Sequence, residues 1–151
     1  MRLDDKPEAE MLSRTARHAL RAIVALAELP QGRYAAAAAI AQQIGAPQNY
    51  LGKLLKTLAR EGLVDSQRGL GGGFRLARDP SELSLLEIVD PIEHLNRWSE
   101  CILGSEECSQ EAPCPLHERF KTVRDAYLQL LGETTLADLL AKRSGVVVDA
   151  P

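Results

Sequence analysis

Three cysteines and a histidine crowd into one stretch of this chain, C-I-L-G-S-E-E-C-S-Q-E-A-P-C-P-L-H, from Cys101 to His117. It holds every cysteine of the protein: six residues separate Cys101 from Cys108, five separate Cys108 from Cys114, and His117 follows two residues later. Thiolates this close in sequence repel one another unless a cation offsets their charge, and thiolate with imidazole suits a soft or borderline metal. Cys101, Cys108, Cys114 and His117 are therefore the candidate metal ligands. The set suits an iron–sulfur cluster, in which a histidine ligand raises the reduction potential. It would equally satisfy zinc. Spacing does not separate the two, although the C-x-x-C pair usual in zinc sites is absent. A cluster-free thiol switch is a third reading. Cys114 and His117 could be imagined as nucleophile and base. No third residue or oxyanion site accompanies them, and clustered thiols exceed what that chemistry needs, so no enzyme is expected.

The stretch follows a basic segment and leads into an acidic one. From residue 11 to 80 there are ten Lys and Arg against four Asp and Glu, a charge of +6. From 81 to 151 there are six against thirteen, a charge of −7, and residues 1–10 add −2. A basic half on a chain of net charge −3 suggests a nucleic-acid footprint on one side only; the plainer reading is two solvated surfaces of opposite sign. The 151 residues suit one domain, or a small domain with a helical arm. No apolar run approaches the ~18 residues of a membrane span. The first ten residues, M-R-L-D-D-K-P-E-A-E, are polar and acidic, unlike a signal peptide. A cytoplasmic protein is expected, where an odd number of cysteines fits metal or redox chemistry better than disulfides.

The basic segment has the elements of a DNA-reading module. Met11 to Leu29 reads as a helix that Ser13 can cap. Ala16, Ala19, Leu20, Ile23, Val24 and Ala27 form its apolar stripe, and Arg14, Arg17 and Arg21 its polar face. His18 reads as a helix-surface residue. Alanine-rich Tyr34 to Gly45 favours a second helix, with Ile40 and Ile44 toward the core. Pro47 opens a third. Its buried stripe is Leu51, Leu54, Leu55 and Leu58, which leaves Gln48, Asn49, Lys53, Lys56 and Arg60 outside. Two helices joined by a short turn at Gly45 make a helix-turn-helix, and the second is the recognition helix. Gln and Asn at its start can read adenine, and Lys can meet guanine or phosphate. Gly52 costs this helix about 1 kcal/mol relative to Ala and leaves no side chain where a base contact could sit. Leu63 to Ser66 and Phe74 to Ala77 then flank a glycine-rich turn, a hairpin wing with Arg68 at its tip. A phosphate-binding loop is the competing reading, and a weak one, because no Gly-Lys-Ser/Thr follows and a strand rather than a helix comes next. The candidate DNA contacts are Gln48, Asn49, Tyr50, Lys53 and Lys56 on the helix, with Ser66, Arg68, Gly69, Gly71 and Gly72 on the wing.

After a turn at Asp79-Pro80, Ser84 and Glu87 are spaced as a capping box. They open a helix that Pro91 should kink or end. His94 and Trp98 lie on the approach to the cysteines. Beyond Cys114 a long helix carries Leu116, Phe120, Val123, Tyr127 and Leu130, a stripe that suits either a core or a partner helix. Thr135 caps a short last helix. The expected fold is mainly α with a small β wing: a winged helix-turn-helix plus a long C-terminal helix. Its parts are an extension (1–10), the DNA-binding domain (11–80), a connecting helix (81–98), the cluster loop (99–117), the long and last helices (115–143) and a tail (144–151).

A-L-R-A-I-V-A-L-A near the start, N-Y-L-G-K-L-L-K-T-L-A-R-E-G-L-V-D-S-Q-R-G-L-G-G-G-F-R-L, the three-cysteine loop and T-L-A-D-L together resemble the IscR/NsrR-like (Rrf-type) winged-helix transcriptional regulators. The likeness runs from Met11 to about Leu140. It implies a homodimer held by the long helix, a palindromic operator, and an iron–sulfur cluster that tunes operator affinity to iron, redox or nitric oxide status. A repressor is expected. Regulators of iron–sulfur biogenesis hold a 2Fe–2S cluster with three Cys and a His placed as Cys114 and His117 are. The nitric-oxide-sensing branch holds 4Fe–4S with an Asp from the first helix of the other subunit; that position aligns with Arg17, which cannot serve. The resemblance thus implies 2Fe–2S over 4Fe–4S, with zinc as the alternative. The first cysteine gap is one residue longer than the family's, and residues 1–10 precede its usual start. A structural adaptor without DNA affinity is the alternative of another class.

Overall fold

The computed structural model describes residues 11–95, 103 and 114–141. The extension (1–10), Trp98, Cys101, Cys108 and the tail (144–151) lie outside the described residues. The described chain forms two compact units that meet between Ala77 and Arg78 in sequence. It is mainly helical with a two-stranded antiparallel wing.

The first unit contains α1 (Arg14–Ala27), α2 (Ala37–Ile44), α3 (Gln48–Arg60), β1 (Val64–Gln67) and β2 (Gly73–Leu76). Ser13 caps α1 as expected, its hydroxyl accepting the Ala16 N–H at 3.1 Å. The buried face of α1 is Ala16, Ala19, Ala22, Ile23, Ala25 and Leu26. It is rolled from the expected stripe, since Leu20, Val24 and Ala27 are only half-buried. Alanines on this face keep the side-chain layer thin where α1 packs on α2 and α3, and helix spacing follows side-chain size. On α3, Leu51, Leu54, Leu55 and Leu58 are all buried, each contributing roughly 1.5–3 kcal/mol.

Helix α2 begins later than its alanines suggest. Ala35 is extended and pairs with Phe74: each N–H donates to the other's carbonyl at 2.8 Å. Two backbone bonds at about 1 kcal/mol each outweigh the few tenths that alanine gains per residue in a helix. The approach to α2 is thus stitched to β2. In the wing, Val64 pairs with Leu76, Asp65 with Arg75, Ser66 with Phe74 and Gln67 with Gly73. Both strands lie one residue nearer the turn than expected. Gly73 has φ 135°, and a Cβ on it would collide with the Ala35 carbonyl, so the seam requires glycine.

The second unit contains a 3-10 turn (Pro80–Glu82), α4 (Leu85–Glu93), α5 (His117–Glu133) and α6 (Leu136–Ala141). The capping box forms: the Glu87 N–H donates to Ser84 Oγ at 3.2 Å, and the Ser84 N–H to Glu87 Oε2 at 3.0 Å. Arg78 donates to Glu87 Oε1 at 2.7 Å and to the Glu82 carbonyl at 3.0 Å. Its hydrogen bond, more than the helix-end N–H, holds the Glu87 carboxyl below its ordinary pKa. Pro91 does not end α4, which runs on to Glu93 and stops at His94 with φ 52°. So near the carboxyl end, proline removes only a late helical bond, and Asp90 Oδ1 takes the Leu95 N–H at 3.0 Å. Thr135 and Asp138 cap α6 reciprocally, at 3.2 and 2.9 Å.

The expected stripe of α5 divides in two. Tyr127 and Leu131 are buried, with Phe120 half-buried, whereas Leu116, Val123 and Leu130 are exposed. Those three recur every seven residues, the spacing of a helix seam that meets another helix.

Gly52 packs beside another helix. A Cβ there would lie 4.0 Å from Ala37 Cβ, so the position has α2 beside it, which spacing alone does not reveal. Gly52→Ala is predicted to stabilise the protein by about 1 kcal/mol. Gly73→Ala is predicted to destabilise it by roughly 1–3 kcal/mol through strain at the seam. Urea unfolding checks both; a loss at Gly52, or no loss at Gly73, would contradict the packing described.

Candidate nucleic-acid interface

Burial of the four leucines leaves the opposite side of α3 outside. Gln48 and Asn49 are exposed in its first turn, and Lys53, Lys56 and Arg60 are exposed further along. Asn49, Lys53, Lys56 and Arg60 follow one another at steps of four, three and four residues, a single helical stripe. Pro47 precedes the helix and supplies no side-chain cap. The first N–H groups of α3 therefore face outward at its positive end, the arrangement that attracts phosphate.

The wing stands beside this stripe. A groove of about 560 Å³ runs between them, lined by Lys56, Ala59 and Arg60 of α3 and by Ser66, Gln67, Arg68, Gly73 and Phe74 of the wing. Three cations border it. Arg60 and Gln67 were not among the candidate contacts; the i, i+4 step from Lys56 to Arg60 was the readable sign of the first. The turn beyond Arg68 is compact, with Gly69 at φ 92°, Gly71 at φ 76° and the Gly72 N–H donating to the Gly69 carbonyl at 3.0 Å. Leu70 stands at its apex, fully exposed. Arg75 is occupied elsewhere. It pairs with Asp65 across the strands at 3.4 Å and lies 4.8 Å above the centre of the Tyr34 ring.

Tyr50 is placed differently from the other candidates. It is half-buried, its ring meeting the His18 ring edge-on at 5.5 Å. Its hydroxyl is buried and, among the described residues, has no hydrogen-bond partner, as is true of His18 Nδ1. Tyr50 thus locks the first turn of α3 to α1 rather than offering its hydroxyl to solvent, and His18 is not the surface residue expected. Burial, then Arg21, Arg14 and Arg17, push the His18 pKa down, which keeps the imidazole neutral at neutral pH.

Of the metal candidates, Cys114 and His117 are described. Both are half-buried, and the His117 N–H donates to the Cys114 carbonyl at 3.0 Å. One thiol and one imidazole therefore share a single turn at the start of α5. Neither residue is committed to the interior, and the pair fits half of a thiolate–imidazole set for an iron–sulfur cluster or zinc.

A recognition helix, an adjoining wing and a basic groove between them define a winged-helix DNA-binding regulator. The chain belongs to the Rrf2 family, whose model, described as an iron-dependent transcriptional regulator, matches residues 12–142. It is 30% identical over 132 residues to an HTH-type transcriptional regulator of Aquifex aeolicus, covering 86% of this chain and 91% of that one. Among solved structures it is similar to CymR, the global cysteine regulator of B. subtilis, at 28% identity and a TM-score of 0.70, covering 87% of this chain and 97% of that one. T. potens IscR shares the fold, with a TM-score of 0.72, 24% identity and coverage of 93% and 95%. This is a family of transcriptional regulators, not of enzymes. No described helix is long and apolar enough to cross a membrane.

Lys56→Ala and Arg60→Ala are each predicted to weaken binding to all DNA and to reduce the slope of log K against log salt by about one. Gln48→Ala and Asn49→Ala are predicted to relax sequence preference, at about 1–3 kcal/mol per contact. Anisotropy titrations of operator and random duplexes at several salt concentrations test this. Unchanged slopes and preferences would place the interface elsewhere.

Proposed function

We propose that this protein is a homodimeric repressor of a palindromic operator, whose affinity is tuned by an iron–sulfur cluster on Cys101, Cys108, Cys114 and His117. Gln48 and Asn49 read bases, Lys53, Lys56, Ser66 and Arg68 hold the backbone, and the tip glycines bring the wing's main chain close to it. The Cys114–His117 turn carries this reading, because the helix it opens is the one with the exposed Leu116, Val123 and Leu130 seam. When bound, a cluster would supply a charge centre sensitive to redox state, iron supply and nitric oxide. Ligation at Cys114 and His117 ties the start of α5 to the cysteine loop, and a shift of α5 alters the spacing of two recognition helices across a dimer. Cluster and operator must then influence each other's binding equally. The likeness to regulators of iron–sulfur biogenesis, which use three Cys and a His, favours 2Fe–2S over 4Fe–4S, with zinc as the alternative metal. The second reading is a cluster-free thiol switch, favoured by the structural likeness to S. aureus CymR in an oxidised form, at 26% identity and a TM-score of 0.67.

The test is anaerobic purification, a visible spectrum, iron and sulfide assays, and operator titration with holo-, apo- and Cys114→Ser protein. A coloured protein whose operator affinity changes on cluster loss is expected. A colourless protein holding zinc, or equal affinity in all three forms, rejects the cluster reading. A thiol switch instead predicts affinity that follows thiol oxidation in metal-free protein.

Val123→Glu places a carboxylate in the seam and is expected to yield monomers that bind operator weakly, read by analytical ultracentrifugation. A dimer as tight as the parent's would move the interface off α5.

A further inference from the structure

We propose that Leu70 is an apolar wedge, which the wing inserts into the minor groove of operator DNA to sense how readily the base steps there open. The proposal rests on the DNA-binding reading above and adds to it a residue that reads deformability rather than base edges.

Leu70 has a relative exposure of 107%, the highest of the large apolar residues among those described. Three others, Leu116, Val123 and Leu130, belong to the α5 seam. Leu70 lies on no such helix face. It stands between Gly69 and Gly71, both at positive φ, in a turn closed by the bond from the Gly72 N–H to the Gly69 carbonyl. The chain is folded so tightly behind it that a Cβ on Gly72 would collide with the Gln67 carbonyl. The backbone therefore projects this side chain away from the protein, and the flanking glycines offer it no apolar surface to fold against. The base of the wing is also fixed, because Phe74 is bonded to Ala35 on the side away from β1. A push at the tip is thus carried into the body of the module.

The surroundings choose the occupant. Arg68 is exposed two residues before Leu70, and Lys56 and Arg60 border the same groove. An apolar tip on a cationic surface complements a polyanion with an apolar interior: phosphates outside, deoxyribose walls and stacked bases within. Leucine is among the side chains that wedge between base steps from the minor groove and kink the duplex. Pyrimidine–purine steps open most easily. Operators should therefore prefer TA or CA/TG where the wing lands, at a position that receives no hydrogen bond.

The experiment uses full-length protein and an operator selected by it from random duplexes. Affinity, salt dependence and bend angle (end-to-end energy transfer) are measured for the parent, Leu70→Ala, Leu70→Met and Arg68→Ala. 2-Aminopurine placed along the operator flanks reports unstacking. Leu70→Ala should lose roughly tenfold in operator affinity, keep the parent's salt slope, bend the duplex less and abolish the 2-aminopurine signal. Leu70→Met should restore all three, and Arg68→Ala should lower the salt slope instead. Equal affinity and bending by Leu70→Ala and parent would overturn the wedge and leave the regulator reading intact. An equal loss on operator and random DNA would overturn it in favour of a nonspecific contact. A parent that selects no sequence would remove the regulator reading, and the wedge with it.

Discussion

The roll of α3 about its own axis is the constraint on which the rest depends. It is set by Leu51, Leu54, Leu55 and Leu58, all buried, at spacings that fill one face of a helix and no other. A turn of this helix by one residue, about 100°, would expose leucine and bury lysine, each at a cost of kilocalories. The outward stripe of Asn49, Lys53, Lys56 and Arg60 is therefore fixed by what lies beneath it. Tyr50 adds a second fastening, its ring set against His18 of α1. Partial burial and the nearby Arg21, Arg14 and Arg17 push the His18 pKa down, and a charged imidazole there would oppose the contact.

Local signals in the sequence foretold most of the elements. The Ser13 cap, the Ser84–Glu87 box, the α3 leucines and the glycine-rich hairpin all act within a few residues, so spacing alone reveals them. The misreadings share the opposite cause. Alanines 35 and 36 look helical until Phe74, far along the chain, offers backbone partners. Spacing alone likewise does not reveal that Gly52 has Ala37 beside it. The α5 stripe looks continuous because its buried and exposed faces adjoin on the same helix. The candidate ligand set rests on residue types and their spacing; of its geometry, the described residues give the Cys114–His117 turn.

That turn places two kinds of surface on one helix. A thiol stands three residues before α5 and an imidazole opens it; the helix continues into exposed Val123 and Leu130, while Tyr127 and Leu131 hold its other side inward. A rigid helix cannot move one end without the other. Burial, and after it the carboxylate of Glu93, push the Tyr127 phenol pKa up.

The seam between Ala35 and Phe74 makes the hairpin something other than a flap. A two-stranded ribbon alone is marginal in water and would have to be ordered by its ligand. Here a third length of chain is bonded to it, and Gly73 lets that chain approach. The wing is preorganised, so little conformational entropy is left to be lost when it meets DNA. The compliance must then come from the duplex. Under the proposed contact, a stiff reader would rank sequences by how cheaply each bends to fit it, and its stiffness would originate in the linker before α2, a segment that lines no part of the groove.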